Sequence, residues 1–436
     1  MDSLEISPSF SQPAESQTEI KTPVSKPDKH IWGIYILLCM ISIIELYSAS
    51  SREVNMSSAL GVFSPIVRHG AMLGIGCLII YLLQTVHYRK FIPWIPLFML
   101  VSVAMMVYVM FCGEIVNGAR RSFSLFGITI QPSEFLKLSS AMMIAWITSK
   151  SQQKGGVKNW GVISSAVIVM VFGALLIKQG LTNTLLLMAI SLSMMVIGGI
   201  EWKKLAVVGL VYMACMGVFF LFSHGREDTQ QASGQTAAIE QTDGRSGTWS
   251  NRLERFFGDG TPKYEQEIQA ENRQEMYSYM AQANGGVFGV FPGNSRETAR
   301  LPLAFSDYIY AIIIEDMGFI GGIVVLILYL WLLGRASSIA SRCSRAFPAL
   351  LVIGMAVMVV FQALFHMAIV TGFFPVSGQP LPLISKGGTS ILITSIAFGI
   401  MLSVSRHAVR NGKKQDIKNE IDVLPEDVRA DNPTML

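Results

Sequence analysis

The stretch LPLAFSDYIYAIIIEDMGFIGG, residues 301 to 322, sets three acids, Asp307, Glu315 and Asp316, in or beside an apolar run. A carboxylate in partly dry surroundings keeps its proton more readily than one in water, which suits it to accept a proton from an attacking hydroxyl near neutral pH. Asp307 is the candidate general base. A plainer reading makes it the N-cap of a helix in FSDYIY. On one continuous helix Asp307 and Asp316 would be turned by about 900° and face opposite sides, so they cannot form a carboxylate dyad. Glu315 would lie roughly 12 Å deeper than Asp307, where a hydrogen bond inside a helix bundle accounts for it and for Asp316.

Cations stand in three further places. NGARRSFSLFGITIQPSEFLKLSS, residues 117 to 140, carries Arg120 and Arg121, then Glu134 and Lys137. Guanidinium groups bind phosphate oxygens in bidentate geometry, and lipid headgroups would occupy the same pair equally well. Pro132 suits the first turn of a helix and Ser133 its cap, while Glu134 and Lys137, three residues apart, share a face and can pair. Later, TGFFPVSGQPLPLISKGGTS, residues 371 to 390, has Pro375, Pro380, Pro382, Gly387 and Gly388, which forbid regular helix. Irregular backbone at membrane depth is tolerated where it is buried or lines a wet cavity. Lys386 can address a phosphate there or snorkel to headgroups, and Ser390 follows it as a polar candidate. Together these residues could stabilise a departing anion, alone or with a divalent cation such as Mg or Mn.

The elements that position these groups are transmembrane helices. Of 436 residues 51% are hydrophobic and 15% charged, with mean hydropathy +0.46. Apolar segments long enough to cross a ~30 Å hydrocarbon core begin near Ile31, Ile66, Phe91, Phe135, Trp160, Thr182, Leu205, Phe305, Pro348 and Ile384. Lys and Arg fill alternate connections: Arg89 with Lys90, Lys150 with Lys154 and Lys158, Lys203 with Lys204, Arg335 with Arg342 and Arg345. Both termini are therefore predicted cytoplasmic, and the connections after spans one, three, five, seven and nine lie outside. Arg120 and Arg121 are then on the outer side, against the bias that sets the topology.

Residues 1 to 30 read as a disordered cytoplasmic tail, 31 to 405 as the membrane domain and 406 to 436 as a second cytoplasmic tail. The loop from 223 to 303 is far longer than an ordinary connection. Within it WSNRLERFF and KYEQEIQAENRQEMYSYMAQA have helical spacing and can lie along the membrane surface. Five scattered cysteines show no metal spacing and no pairing, which argues against redox chemistry. The basic excess follows from insertion and does not point to nucleic acid. With no strand alternation of useful length, the expectation is an all-α polytopic membrane protein with about ten transmembrane helices and one large extracytoplasmic loop.

Five stretches, LYSASS, NGARR with QPSEFLKL, GGVFGVFPGNS, LPLAFSDYIYAIIIEDMGFIG and GFFPVSGQPLPLISKGGTS, resemble the family of shape, elongation, division and sporulation (SEDS) proteins, the FtsW, RodA and SpoVE group. The resemblance covers most of residues 31 to 405. It implies a peptidoglycan glycosyltransferase of the bacterial inner membrane that polymerises lipid II beside a class B penicillin-binding protein. Long tails suggest the FtsW division subtype, working at the septum with other divisome membrane proteins. The family aspartate falls on Asp307, which would deprotonate the attacking sugar hydroxyl while undecaprenyl pyrophosphate leaves. Arg120, Arg121, Glu134, Lys137, Lys386 and Ser390 would then bind substrate. Several positions depart from the family pattern: Ser122 stands for a usual Trp, Leu303 and Phe305 for an acid and a His, and GLTNT, residues 180 to 184, for a Pro-Asp-Leu-Gly-Thr motif. His366 stands for a common Asn, and Lys386 for a frequent Tyr. Two rival readings use the same residues: a lipid II flippase, and a noncatalytic scaffold that activates the transpeptidase. A flippase would place its ionisable groups near the midplane, whereas the candidates here gather toward the outer leaflet.

Overall fold

The computed structural model describes residues 26–50, 63–116, 119–125, 128–153, 156–177, 180–232, 256, 267–269, 272–301 and 305–408. Most of both expected tails, the segment WSNRLERFF apart from Phe256, and much of the long outer loop lie outside the described residues.

Helices α1 (Lys29–Ser50), α2 (Phe63–Thr85), α3 (Trp94–Cys112), α4 (Pro132–Lys150), α5 (Asn159–Ile177), α6 (Leu181–Ile197) and α7 (Trp202–Ala232) follow the first seven expected spans. A short helix, α8 (Arg273–Gly285), falls in the part of the long loop with helical spacing. Helices α9 (Ile309–Ala340), α10 (Ala346–Val370) and α11 (Gly388–His407) complete ten helices at the ten expected positions. Among the described residues seven of them are long and apolar enough to cross a membrane by those criteria alone. Helix α4 carries the buried ions Glu134 and Lys137, which lower its hydropathy, and α6 has 17 residues.

One element departs from the all-helical expectation. Residues 114 to 130 form a small antiparallel sheet of β1 (Glu114–Val116), β2 (Ala119–Leu125) and β3 (Ile128–Ile130), in the order β1-β2-β3. Arg120 and Arg121 lie on its central strand, with Arg120 opposite Ile115. These strands are too short for alternation to stand out in the sequence. A two-strand pair, β4 (Gln152–Gln153) with β5 (Gly156–Val157), closes the inner connection after α4.

Helices α10 and α11 form the centre of the bundle, with 72% and 83% of their apolar windows buried, whereas α3 has 22% and lies at the rim. Small residues let the central helices approach closely. A Cβ at Gly399 would come within 2.8 Å of Leu83 on α2, and one at Gly354 within 2.5 Å of Met194 on α6. Tyr35 on α1 bonds Ser395 on α11 at 3.0 Å, and Trp32 bonds Gln84 on α2. Near the start of α1, Arg335 grips Asp28 at 2.6 and 2.8 Å, fastening that end of α1 to α9.

Helix α9 is broken at Gly318, whose φ of 72° is left-handed. The chain from Gly286 to Phe291 lies against the break: Val290 and Phe291 donate their amides to the carbonyls of Glu315 and Asp316, and Phe319 donates back to Gly286. A Cβ at Gly318 would lie 2.2 Å from the Val287 carbonyl, so glycine is required for both its angle and its space. Nonhelical backbone thus sits about 13 Å below the start of α9 with its polar groups paired.

Candidate active site at one end of the bundle

Asp307 lies before α9. The helix begins at Ile309 with Tyr308 at the cap position and no capping side chain, so the N-cap reading of Asp307 does not hold. The reason is visible in the backbone. Lys386 donates its amide to Phe305 O at 2.9 Å, and Ser385 Oγ donates to Ser306 O at 2.8 Å. These bonds hold residues 305 to 307 against the Pro-rich segment and delay the helix. The Asp307 carboxylate then packs against Gly378: a Cβ there would come 2.8 Å from Asp307 Oδ2. Asp307 itself is half-buried.

The Pro-rich segment is nonhelical, as its composition requires, and is sewn to the bundle. His366 Nδ1 meets Gln379 O at 2.6 Å, Gln362 Nε2 donates to Pro380 O at 3.3 Å, and Leu381 donates to Ser385 Oγ at 2.7 Å. Lys386 is exposed and holds its ammonium 5.5 Å from the centre of the Phe305 ring. Ser390, in the first turn of α11, is buried.

The small sheet docks at the same place. Thr389 Oγ1 donates to Thr129 O and accepts from the Gln131 amide at 3.3 Å, so β3 ends on the start of α11. Arg121, half-buried on β2, is thereby carried to the end of the bundle shared by Lys386, Ser390 and Asp307. Helices α4 and α11 both start here and direct the positive ends of their dipoles outward, which favours an anion.

Glu134 and Lys137 occupy a different environment. Lys137 is fully buried and bonds Glu134 at 2.7 Å and Gln362 Oε1 at 3.0 Å, while Gln362 Nε2 also reaches Glu134 at 3.4 Å. The pairing expected from their spacing is present, closed on itself, and joins α4 to α10. Ser133 does not cap α4. Gln131 takes that position, and Pro132 fills the first turn as expected.

Glu315 and Asp316 make the interior bonds their depth suggested. Glu315 accepts from Ser295 Oγ, from the Arg296 amide at 2.9 Å and from the Glu297 amide at 3.3 Å. Asp316 accepts from Ser48 Oγ, which in turn accepts from the Gly293 amide at 2.7 Å.

Other polar groups of this region were not singled out in the sequence. Glu45 is fully buried, its oxygens have no hydrogen-bond partner, and the Asp316 charge acts on it. His69 bonds Ser42 Oγ at 2.6 Å, and Ser42 bonds Ile384 O at 3.1 Å. Gln362 and Gln379 complete the set, and His366 beside them was noted in the sequence only as a departure from the family pattern. Their signal was available, since each is a polar residue inside or beside an apolar run. Among the described residues no three His, Cys, Asp or Glu side chains gather as metal ligands.

Ten helices, two of them buried at the centre, with a polar end built from broken helix and stitched loop, define a multi-pass membrane protein. The family model FTSW_RODA_SPOVE, described as "Cell cycle protein", matches residues 28–410, and the chain belongs to that family. It is 29% identical over 374 residues to a protein of Trichlorobacter lovleyi named "Probable peptidoglycan glycosyltransferase FtsW", covering 85% of this chain and 91% of that one. It is 26% identical to the Stage V sporulation protein E of Bacillus subtilis, covering 89% and 99%. Its fold matches the Thermus thermophilus rod shape determining protein RodA with a TM-score of 0.60 at 20% identity, over 88% of this chain and 98% of that one. A chain of a peptidoglycan synthase complex that coordinates polymerization and crosslinking matches at 0.66 and 21% identity, over 87% and 98%.

Proposed function

We propose that this protein is a peptidoglycan glycosyltransferase that polymerises lipid II at the outer face of the bacterial inner membrane, with Asp307 as general base. The observation that carries the reading is the placement of a half-buried carboxylate at the outer end of the bundle, fixed between the start of α9 and the Pro-rich segment. Family membership and the names of the relatives support the reaction class.

In this reading Asp307 takes the proton of the attacking sugar hydroxyl as the new glycosidic bond forms and the bond to the pyrophosphate breaks. Charge then grows on the departing polyprenyl pyrophosphate. Arg120, Arg121, Lys386, Ser390 and the outward dipoles of α4 and α11 stabilise it, because preorganised positive groups act most strongly where water is scarce. Glu134 and Lys137 serve the same site indirectly by holding α4 to α10. We assign the protein to division, with a class B penicillin-binding protein packed on α9 and α10, other divisome membrane proteins nearby, both termini cytoplasmic and the septum as its location.

The test is lipid II polymerisation by the purified protein with its cognate transpeptidase, wild type beside Asp307→Asn. Loss of glycan strands with an intact complex is expected. Normal polymerisation by the variant would remove Asp307 as base, and no polymer from the wild-type complex would return the flippase or scaffold readings.

A further inference from the structure

The Pro-rich segment has a supply problem in its backbone. Pro380 and Pro382 have no amide hydrogen, so the segment pairs only some of its own carbonyls, those of Ser377 and Leu381, and unpaired carbonyls in a membrane are costly. Helix α10 meets this need with two side chains four residues apart, and therefore on one face: Gln362 takes the Pro380 carbonyl and His366 the Gln379 carbonyl. The preceding residue, Gly378, is the centre of a tight turn in which the Gln379 amide reaches Ser377 O at 3.0 Å. Against that glycine packs the carboxylate of Asp307.

We propose that His366 is a positioning residue for Asp307, acting through the Gly378 to Gln379 peptide. A carbonyl only accepts, so the Nδ1 of His366 carries the hydrogen. The far nitrogen, Nε2, is buried without a hydrogen-bond partner. The ring is 1% exposed, so it reaches the reaction through the turn it anchors and not by touching substrate. Without the anchor, the turn is free to move away from α10 and the carboxylate loses the surface that sets its direction. The inference rests on the reading of Asp307 as base.

The geometry supplies its own discriminating variants. The amide nitrogen of Asn overlays Nδ1 of His, whereas that of Gln overlays Nε2. His366→Asn keeps the anchor and removes the far nitrogen. His366→Leu removes both at similar volume. In the polymerisation assay with the partner transpeptidase, His366→Leu is expected to lower kcat by about 100-fold with KM within about twofold, the cost of an ångström-scale misplacement. His366→Asn is expected to stay near wild type. If the Leu variant does not fold, as judged by thermal unfolding in detergent, His366→Gln gives the same comparison. Combined with Asp307→Asn, His366→Leu should cause no further loss, because a residue acting through Asp307 has nothing left to position.

The proposal is overturned if His366→Leu, or His366→Gln in its place, polymerises normally. It is also overturned if His366→Asn is as impaired as His366→Leu with a raised KM, which would assign Nε2 to substrate contact. Asp307→Asn measured alone reports on the underlying reading. Full activity there removes the base assignment itself, whereas an inactive Asp307→Asn beside a normal His366→Leu removes only the positioning role.

Discussion

Two sets of ionisable groups sit in the same half of this bundle, and they are built in opposite ways. Glu134 and Lys137 are sealed: both are buried, they bond each other at 2.7 Å, and Gln362 binds both. Asp307 and Lys386 sit in chain that leaves the helices; the acid is half-buried and the amine exposed. The sealed pair has spent its hydrogen bonds on the fold, because a buried charge survives in a membrane only when another group neutralises it. The second set keeps access to the outside. Charge alone does not mark a reactive group; the backbone that carries it decides whether substrate can reach it.

The comparison breaks most sharply at Asp307. Asp307→Asn should lower polymerisation by about 10²- to 10⁴-fold, the usual worth of a general base, without shifting the melting temperature. The sealed pair should respond in the reverse sense. Lys137→Met strands the Glu134 carboxylate and should cost about 3–5 kcal/mol of stability, seen as a lower detergent melting temperature and reduced folded yield. Removing both charges in Glu134→Leu with Lys137→Met should recover much of that loss. A melting curve unchanged by Lys137→Met would show that the pair is not structural.

A smaller effect belongs to the cations at this end, the exposed Lys386 and the half-buried Arg121. Arg121→Gln or Lys386→Gln should each raise KM by about tenfold, the worth of one charge-assisted bond, with the fold intact. Equal melting and equal KM would remove them from the site. The smallest effect is near the start of α1. Burial opposes ionisation of Asp28, yet Arg335 and the amides of Ile31 and His30 outweigh it and hold the carboxyl below its ordinary value. Its stabilisation is therefore fully present above the unfolded value near pH 4 and is lost as pH falls through the lowered folded one. Arg335→Ala should cost about 1 kcal/mol or less at neutral pH, and the difference from wild type should vanish in acid. A pH-independent difference would mean the ion pair is not its source.

The spans were legible because length and hydropathy decide them: each of the ten expected starts has its helix, and Pro380, Pro382 and the paired glycines announced the nonhelical segment. The small sheet was not, since β1 and β3 have three residues each and no period can be read from three. The start of α9 was misread for a related reason. FSDYIY has the local chemistry of a helix cap, and it is the partners Ser385 and Lys386, about eighty residues away, that hold residues 305 to 307 in turns ahead of the helix. Glu315 and Asp316 were placed by depth alone, but their donors Ser295 and Ser48 are long-range partners that spacing along one helix cannot supply.

The break at Gly318 also constrains how the molecule is made. The amides of Val290 and Phe291 find their acceptors on α9, a helix synthesised after them. In lipid they would have nothing else to bond, so the chain from Gly286 to Phe291 must wait in the aqueous or headgroup layer until α9 has been inserted. The ninth helix-length segment thus enters before part of the chain that precedes it. The stretch from Gly286 to Phe291 therefore reaches its final place only after α9 has entered the membrane.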